Sequence, residues 1–155
     1  MLELLRASLE DATAIAQCTR DAYADEILRF SGTSDIDKVN GRLTVDAVQN
    51  DIKNHIYYKI VLDGVIIGGV FLYEVDAQTL DIEDFCIIPI HHNKGYGKFV
   101  LSELERIHSG IKKWVLTTPV YSVRNQHLYE KHGYKRMKID DYGGILCVFY
   151  EKYLL

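Results

Sequence analysis

The stretch Ile87-Ile88-Pro89-Ile90-His91-His92-Asn93-Lys94-Gly95-Tyr96-Gly97-Lys98-Phe99-Val100 joins an apolar run to an amphipathic one through a short polar loop. Glycines at 95 and 97 permit backbone angles and close approaches that side chains would block. A helix opening at such a loop presents N–H groups that lack intrahelical acceptors, together with the positive end of its dipole. Lys94 and Lys98 add charge. Residues His92 to Lys98 therefore predict an anion site suited to a pyrophosphate. Two familiar phosphate motifs fail on named positions. A Walker A loop needs Ser or Thr after Gly97-Lys98, where Phe99 stands. A dinucleotide fingerprint needs Gly or Ala where Val100 stands.

The elements on either side of this loop emerge from periodicity. Leu80 to Ile88 reads as a strand stopped by Pro89. A helix is predicted from about Tyr96 to Ser109, with Phe99, Leu101, Leu104 and Ile107 at helical spacing and Gly110 as its stop. Upstream, Tyr57–Leu62 and Val65–Val75 are β-branched and aromatic, and Asp63-Gly64 between them is a two-residue hairpin turn. Asp76-Ala77-Gln78-Thr79 is a second turn. The chain opens with a short apolar strand over 2–7, then a helix over 11–29 signalled by Ser8 and Asp11. Gly32-Thr33-Ser34-Asp35 breaks that pattern, and Thr44 caps a second helix running to about Asn54. Downstream come a strand over Lys113–Thr118, a helix over 123–132 ended by Gly133, and a hairpin of Tyr134–Lys138 with Ile145–Tyr153 around Asp141-Tyr142-Gly143-Gly144. The predicted order is βααβββαβαββ.

Strand, proline, polar loop, Gly-x-Gly and helix together resemble the signature of the GNAT (GCN5-related) N-acetyltransferase superfamily, whose pattern is Gln/Arg-x-x-Gly-x-Gly/Ala. His92 occupies the Gln/Arg position, a departure that affects one side-chain contact and leaves the backbone cradle. A second match lies downstream, since Leu128-Tyr129-Glu130-Lys131-His132-Gly133-Tyr134 is similar to the family's Leu-Tyr-Glu-Lys-x-Gly-Phe/Tyr helix end. The family's Asn-x-x-Ala maps onto Ser122 and Asn125, so the usual asparagine is absent and Asn125 lies nearby. The resemblance covers roughly residues 2 to 153. It implies a single α/β domain over 1–155 with a mixed, mostly antiparallel central sheet splayed between strands 4 and 5 and helices on both faces.

The resemblance also implies acetyl-CoA as acyl donor and a primary amine as acceptor. His92, Asn93, Lys94, Gly95, Tyr96, Gly97 and Lys98 would hold the pyrophosphate. The backbone of Phe85, Cys86 and Ile87 would pair with the pantetheine arm, with Asn125 and Tyr129 completing the cofactor contacts. Tyr129 is expected to act as general acid toward the departing thiolate. Period-2 alternation puts Asp81, Glu83 and Phe85 on one face of strand 4 and Asp84 on the other. Glu83 is the first choice of general base, Asp81 the second, and a water chain the alternative. Cys86 faces away from Glu83 and lacks a local base, so an acyl-cysteine route is disfavoured. Adjacent His91 and His92 point apart with no third ligand nearby, so no metal is expected.

Composition agrees with this class. The chain has 155 residues, 48% hydrophobic and 26% charged, enough apolar content for one packed core. A formal net charge of -4 offers no basic excess for nucleic acid. No segment approaches the roughly 20 apolar residues of a membrane span, and Met1–Arg6 does not read as a leader. Three cysteines, Cys18, Cys86 and Cys147, at no metal-like spacing fit a reducing, cytoplasmic setting. Tyr23, Phe30, Tyr57, Tyr73 and Tyr142, with Asp21, Asp25 and Glu26, are placed by the resemblance beside an acceptor groove that suits a cationic amine. The acceptor could be a small-molecule or peptide amine, and a homodimer through the C-terminal hairpin with Val148, Phe149 and Tyr150 is an open expectation. The competing functional readings are a non-catalytic acyl-CoA sensor and a plain interaction domain.

Overall fold

The computed structural model describes residues 1–30 and 43–154. Among them the strands are β1 (Leu2–Arg6), β2 (Ile56–Leu62), β3 (Val65–Asp76), β4 (Thr79–Ile87), β5 (Lys113–Pro119), β6 (Lys135–Tyr142) and β7 (Ile145–Tyr153). The helices are α1 (Ala12–Phe30), α2 (Val45–Asn54), α3 (Tyr96–Ile107) and α4 (Val123–Lys131), with 3-10 turns at Leu9–Asp11 and Pro89–His91. This is the predicted order. The expected break at Gly32–Asp35 lies outside the described residues, as does the side chain of Phe30. Seven strands form one mixed sheet in the order β1-β2-β3-β4-β5-β7-β6. β4 runs parallel to β5, while β1–β2, β2–β3, β5–β7 and β6–β7 are antiparallel.

The chain divides into two compact units, one of Met1–Leu72 with Asp84–Tyr96 and one of Tyr73–Glu83 with Gly97–Leu155. In the first, Ala12, Ile15 and Ala16 form the apolar stripe of α1 and pack with Val48 of α2 and the Tyr57–Phe71 pair of β2 and β3. Full burial of each larger member stabilises the fold by roughly 1.5–3 kcal/mol. The Ser8 signal works through a 3-10 turn. The Ser8 amide donates to Asp11 Oδ2 at 2.8 Å, and α1 begins only at Ala12. Thr44 caps α2 as its sequence predicts, accepting from the Ala47 amide at 3.1 Å.

In the second unit β4 pairs with β5 from Thr79↔Lys113 to Ile82↔Leu116. The helix after the loop buries Val100, Leu101 and Leu104, whereas Phe99 and Ile107 are more than a third exposed. The predicted stripe is therefore rotated. Its members are 97, 100, 101 and 104, and it begins at a glycine because an added Cβ at Gly97 would lie 2.9 Å from Leu128 Cδ2 on α4. β6 is longer than predicted, reaching Tyr142, and the turn shrinks to Gly143-Gly144. Val148 and Tyr150, expected to offer an apolar surface, are buried, while Met137, Ile139 and Leu146 are the exposed apolar side chains of this hairpin. β7 lies between β5 and β6 in the sheet, whereas β6 is the edge strand and is exposed along its length.

Candidate active site

The loop ahead of α3 is shaped by its backbone. Pro89 at the start of the 3-10 turn fixes one dihedral, and the His91 and His92 amides close back onto the Ile88 and Pro89 carbonyls at 3.0 Å each. Asn93 and Gly95 both take left-handed conformations, with φ of 61° and 80°. α3 then starts at Tyr96, so the amides of its first turn have no acceptor within the helix. Lys94 and Lys98 are exposed at the loop and the first turn. The loop thus offers a run of amides with Lys94 and Lys98 beside it. A Cβ at Gly95 would meet nothing within 4 Å, so a side chain there is opposed by backbone conformation alone. Gly95→Ala is expected to cost about 1 kcal/mol, lowering Tm by about 2–4 °C in a chain of this size, as differential scanning calorimetry would show.

His92, in place of the family's Gln or Arg, bonds inside its own unit. Its Nε2 lies 2.6 Å from the Ile87 carbonyl oxygen. A carbonyl only accepts, so Nε2 carries the proton, and the imidazole ties the end of β4 to the cradle. Phe85 is partly buried, while Cys86 and Ile87 are buried. The Cys86 thiol donates to Thr19 Oγ1 at 3.4 Å, and burial pushes its pKa up to about 12. That thiol stays protonated, which argues against a nucleophilic role. Among the described residues no three His, Cys, Asp or Glu side chains gather as a cation site. No described helix is long and apolar enough to cross a membrane.

In β4, Asp84 has φ of 45° and its Oδ1 accepts from Tyr23 Oη at 3.3 Å. A left-handed residue inside a strand interrupts the two-residue alternation. The regular pattern predicted across Asp81–Phe85 therefore holds for Asp81 and Glu83 and breaks at the next residue. Asp81 and Glu83 stand two residues apart on one face of β4, near enough for the charge of one to act on the other. Burial, and next the charge of Glu83, push the Asp81 pKa up to about 8. Asp81 Oδ1 is buried with no hydrogen-bond partner among the described residues. Glu83 Oε1 accepts from Tyr142 Oη at 3.2 Å.

Tyr129 is 5% exposed on α4, with its ring centroid 6.0 Å from those of Tyr134 and Tyr150. Tyr134 is buried beside Tyr129. Burial raises its phenol pKa first, and the charges of Glu105 and then Asp81 add to the rise. Asn125 lies partly buried in α4, and Ser122, at the position of the family's asparagine, is fully buried with no partner for Oγ among the described residues. Sequence reasoning missed Tyr134 as a neighbour of Asp81. The only signal was its place after Gly133 in the helix-end motif.

The description "Acetyltransferase (GNAT) family" belongs to the family model that matches residues 9–134. The chain belongs to the GNAT acetyltransferase family. No curated protein sequence matches it. Among solved structures, PaiA N-acetyltransferase from Thermoplasma acidophilum in complex with coenzyme A is similar at 21% identity, TM-score 0.84, over 99% of each chain. A GNAT-family acetyltransferase from Streptococcus agalactiae is similar at 18% identity, TM-score 0.85, over 99% of this chain and 96% of the other. Aminoglycoside acetyltransferase AAC(6')-Ib, in complex with coenzyme A, is similar at 19% identity, TM-score 0.71, over 99% and 95%. At these identities the likeness shows the shared fold. Membership in the GNAT family makes acyl transfer the general chemistry of this chain.

Proposed function

We propose that this GNAT protein is a single-domain cytoplasmic enzyme that moves an acetyl group from acetyl-CoA to a primary amine by direct attack in a ternary complex. The observation that supports the reading is the Asp81–Glu83 carboxylate pair on β4 of a GNAT-family chain. Acetyl-CoA fits the cradle because the amides of residues 93–98 and the cations Lys94 and Lys98 match a pyrophosphate, and Gly95 leaves open space there. The backbone of Phe85, Cys86 and Ile87 would pair with the pantetheine arm, and Ile87 would do so through its amide, since its carbonyl already accepts from His92.

As substrate, acetyl-CoA supplies an activated thioester carbon. The carboxylate pair takes a proton from the ammonium, and the raised pKa of Asp81 suits that task. The neutral nitrogen attacks the carbonyl carbon and the carbon–sulfur bond breaks. Tyr129 gives its phenolic proton to the leaving sulfur, and the second N–H proton returns through solvent to the phenolate. A cationic acceptor suits the two carboxylates. The fold neighbour AAC(6')-Ib has been crystallised with ribostamycin and coenzyme A, so an aminoglycoside-like amine belongs in the substrate panel beside polyamines and peptide amines.

Thermal shift comes first. Acetyl-CoA at 100 times its Kd is expected to stabilise the chain by about 2.7 kcal/mol, and Gly95→Ala should shrink that shift. No shift at millimolar acetyl-CoA would leave a plain interaction domain. A shift without free-thiol release against the whole amine panel would leave a sensor, and parallel double-reciprocal lines would point to a covalent intermediate in place of direct attack.

A further inference from the structure

The β6–β7 turn delivers a phenol to the carboxylate pair. Gly143 and Gly144 take φ of 63° and 87°, the conformation that lets a two-residue turn match the twist of its strands. Tyr142, the last residue of β6, pairs with Ile145 across that turn and hydrogen-bonds Glu83 Oε1. Its ring lies edge-on to Phe149 at 6.1 Å with an interplanar angle of 82°. Phe149 in turn carries Lys138 Nζ 4.8 Å from its centroid. The hairpin thus fixes the ring, and the ring aims its hydroxyl at one member of the pair.

We propose that Tyr142 is a positioning residue for the acyl-transfer base, its phenol orienting the Glu83 carboxylate beside Asp81. This rests on the reading of Asp81 and Glu83 as the base. A phenol donates and a carboxylate accepts, so the bond favours the charged form of Glu83 over its acid. Titratable and charged groups on this side include Tyr134, whose phenol feels the charge of Asp81, Tyr129, whose ring contacts Tyr134, and Lys138 on β6. Asp81's neighbour on β5 is the apolar Val115. Tyr142 hydrogen-bonds Glu83. Because Tyr142 is 42% exposed, its effect is a tuning of the pair and not its creation.

Two measurements on the full chain test this. The first needs no turnover. Carbon-detected NMR titration of the Asp and Glu carboxyls in the wild type and in Tyr142→Phe should show the upper ionisation of the pair moving up by about half a pH unit. The second is the pH profile of kcat/KM from free-thiol release. Its acid limb should move by the same amount, making the variant about threefold slower at pH 7 with the acetyl-CoA Kd unchanged. In a Glu83→Gln background the same Phe substitution should move neither curve. A titration unaltered by Tyr142→Phe, or an equal shift in the Gln background, overturns the role of Tyr142. Full activity of Asp81→Asn and Glu83→Gln overturns the base reading on separate evidence.

Discussion

Tyr129→Phe is expected to lower kcat about 100-fold while leaving the acetyl-CoA Kd within about twofold of wild type. The substitution removes one hydroxyl and keeps the ring, so the packing against Tyr134 and Tyr150 survives. Loss of a general acid costs about 10²–10⁴ in rate. The lower end applies because a thiol ionises near neutrality, so a thiolate departs without full protonation. In barrier terms this is about 2.7 kcal/mol, against about 1 kcal/mol for losing an ordinary hydrogen bond. Release of free CoA thiol, monitored under saturating amine and donor, gives kcat directly. Wild-type turnover in the variant would remove Tyr129 from the mechanism.

Asp81→Asn should have the second large effect, and it acts on two observables in opposite directions. Activity falls by about 100-fold at neutral pH, and the acid limb of kcat/KM near 8 disappears. Stability moves the other way. The folded chain holds the Asp81 proton up to about 8, whereas the ordinary value is 3.8. Between these values the folded form binds a proton that the unfolded form has released, so wild-type stability falls as pH rises. Asn has no proton to lose and escapes that decline. The two proteins should melt alike near pH 4, and the variant should melt higher at pH 9, as calorimetry at the two pH values would show. An Asn variant that is both inactive and less stable at pH 9 would mean that Asp81 is ionised in the fold and serves its structure.

Much of the architecture was legible because local chemistry determines it. Asp63-Gly64 could only be a tight turn, Thr44 could only cap the helix after it, and the cradle announced itself through Pro89, Gly95 and Gly97. The α3 stripe was read one position off, because Phe99 looks like a core residue until Leu128 is known to press on Gly97. The alternation of β4 was extrapolated through Asp84, whose left-handed backbone no sequence rule for aspartate in a strand would forecast. The hairpin residues Val148 and Tyr150 were placed on a surface because nothing local says that β7 pairs with β5 on one side and β6 on the other.

By itself the sequence determined the element order and singled out the 92–98 loop, Tyr129, Asp81 and Glu83 as candidates, since each rests on residues within a few positions of one another. Only the tertiary structure showed that burial raises the Asp81 pKa, and that Tyr142, fifty-nine residues from Glu83, donates to Glu83. Desolvation and hydrogen bonding depend on which distant side chains close around a group, and chain folding sets those neighbours where local propensity cannot.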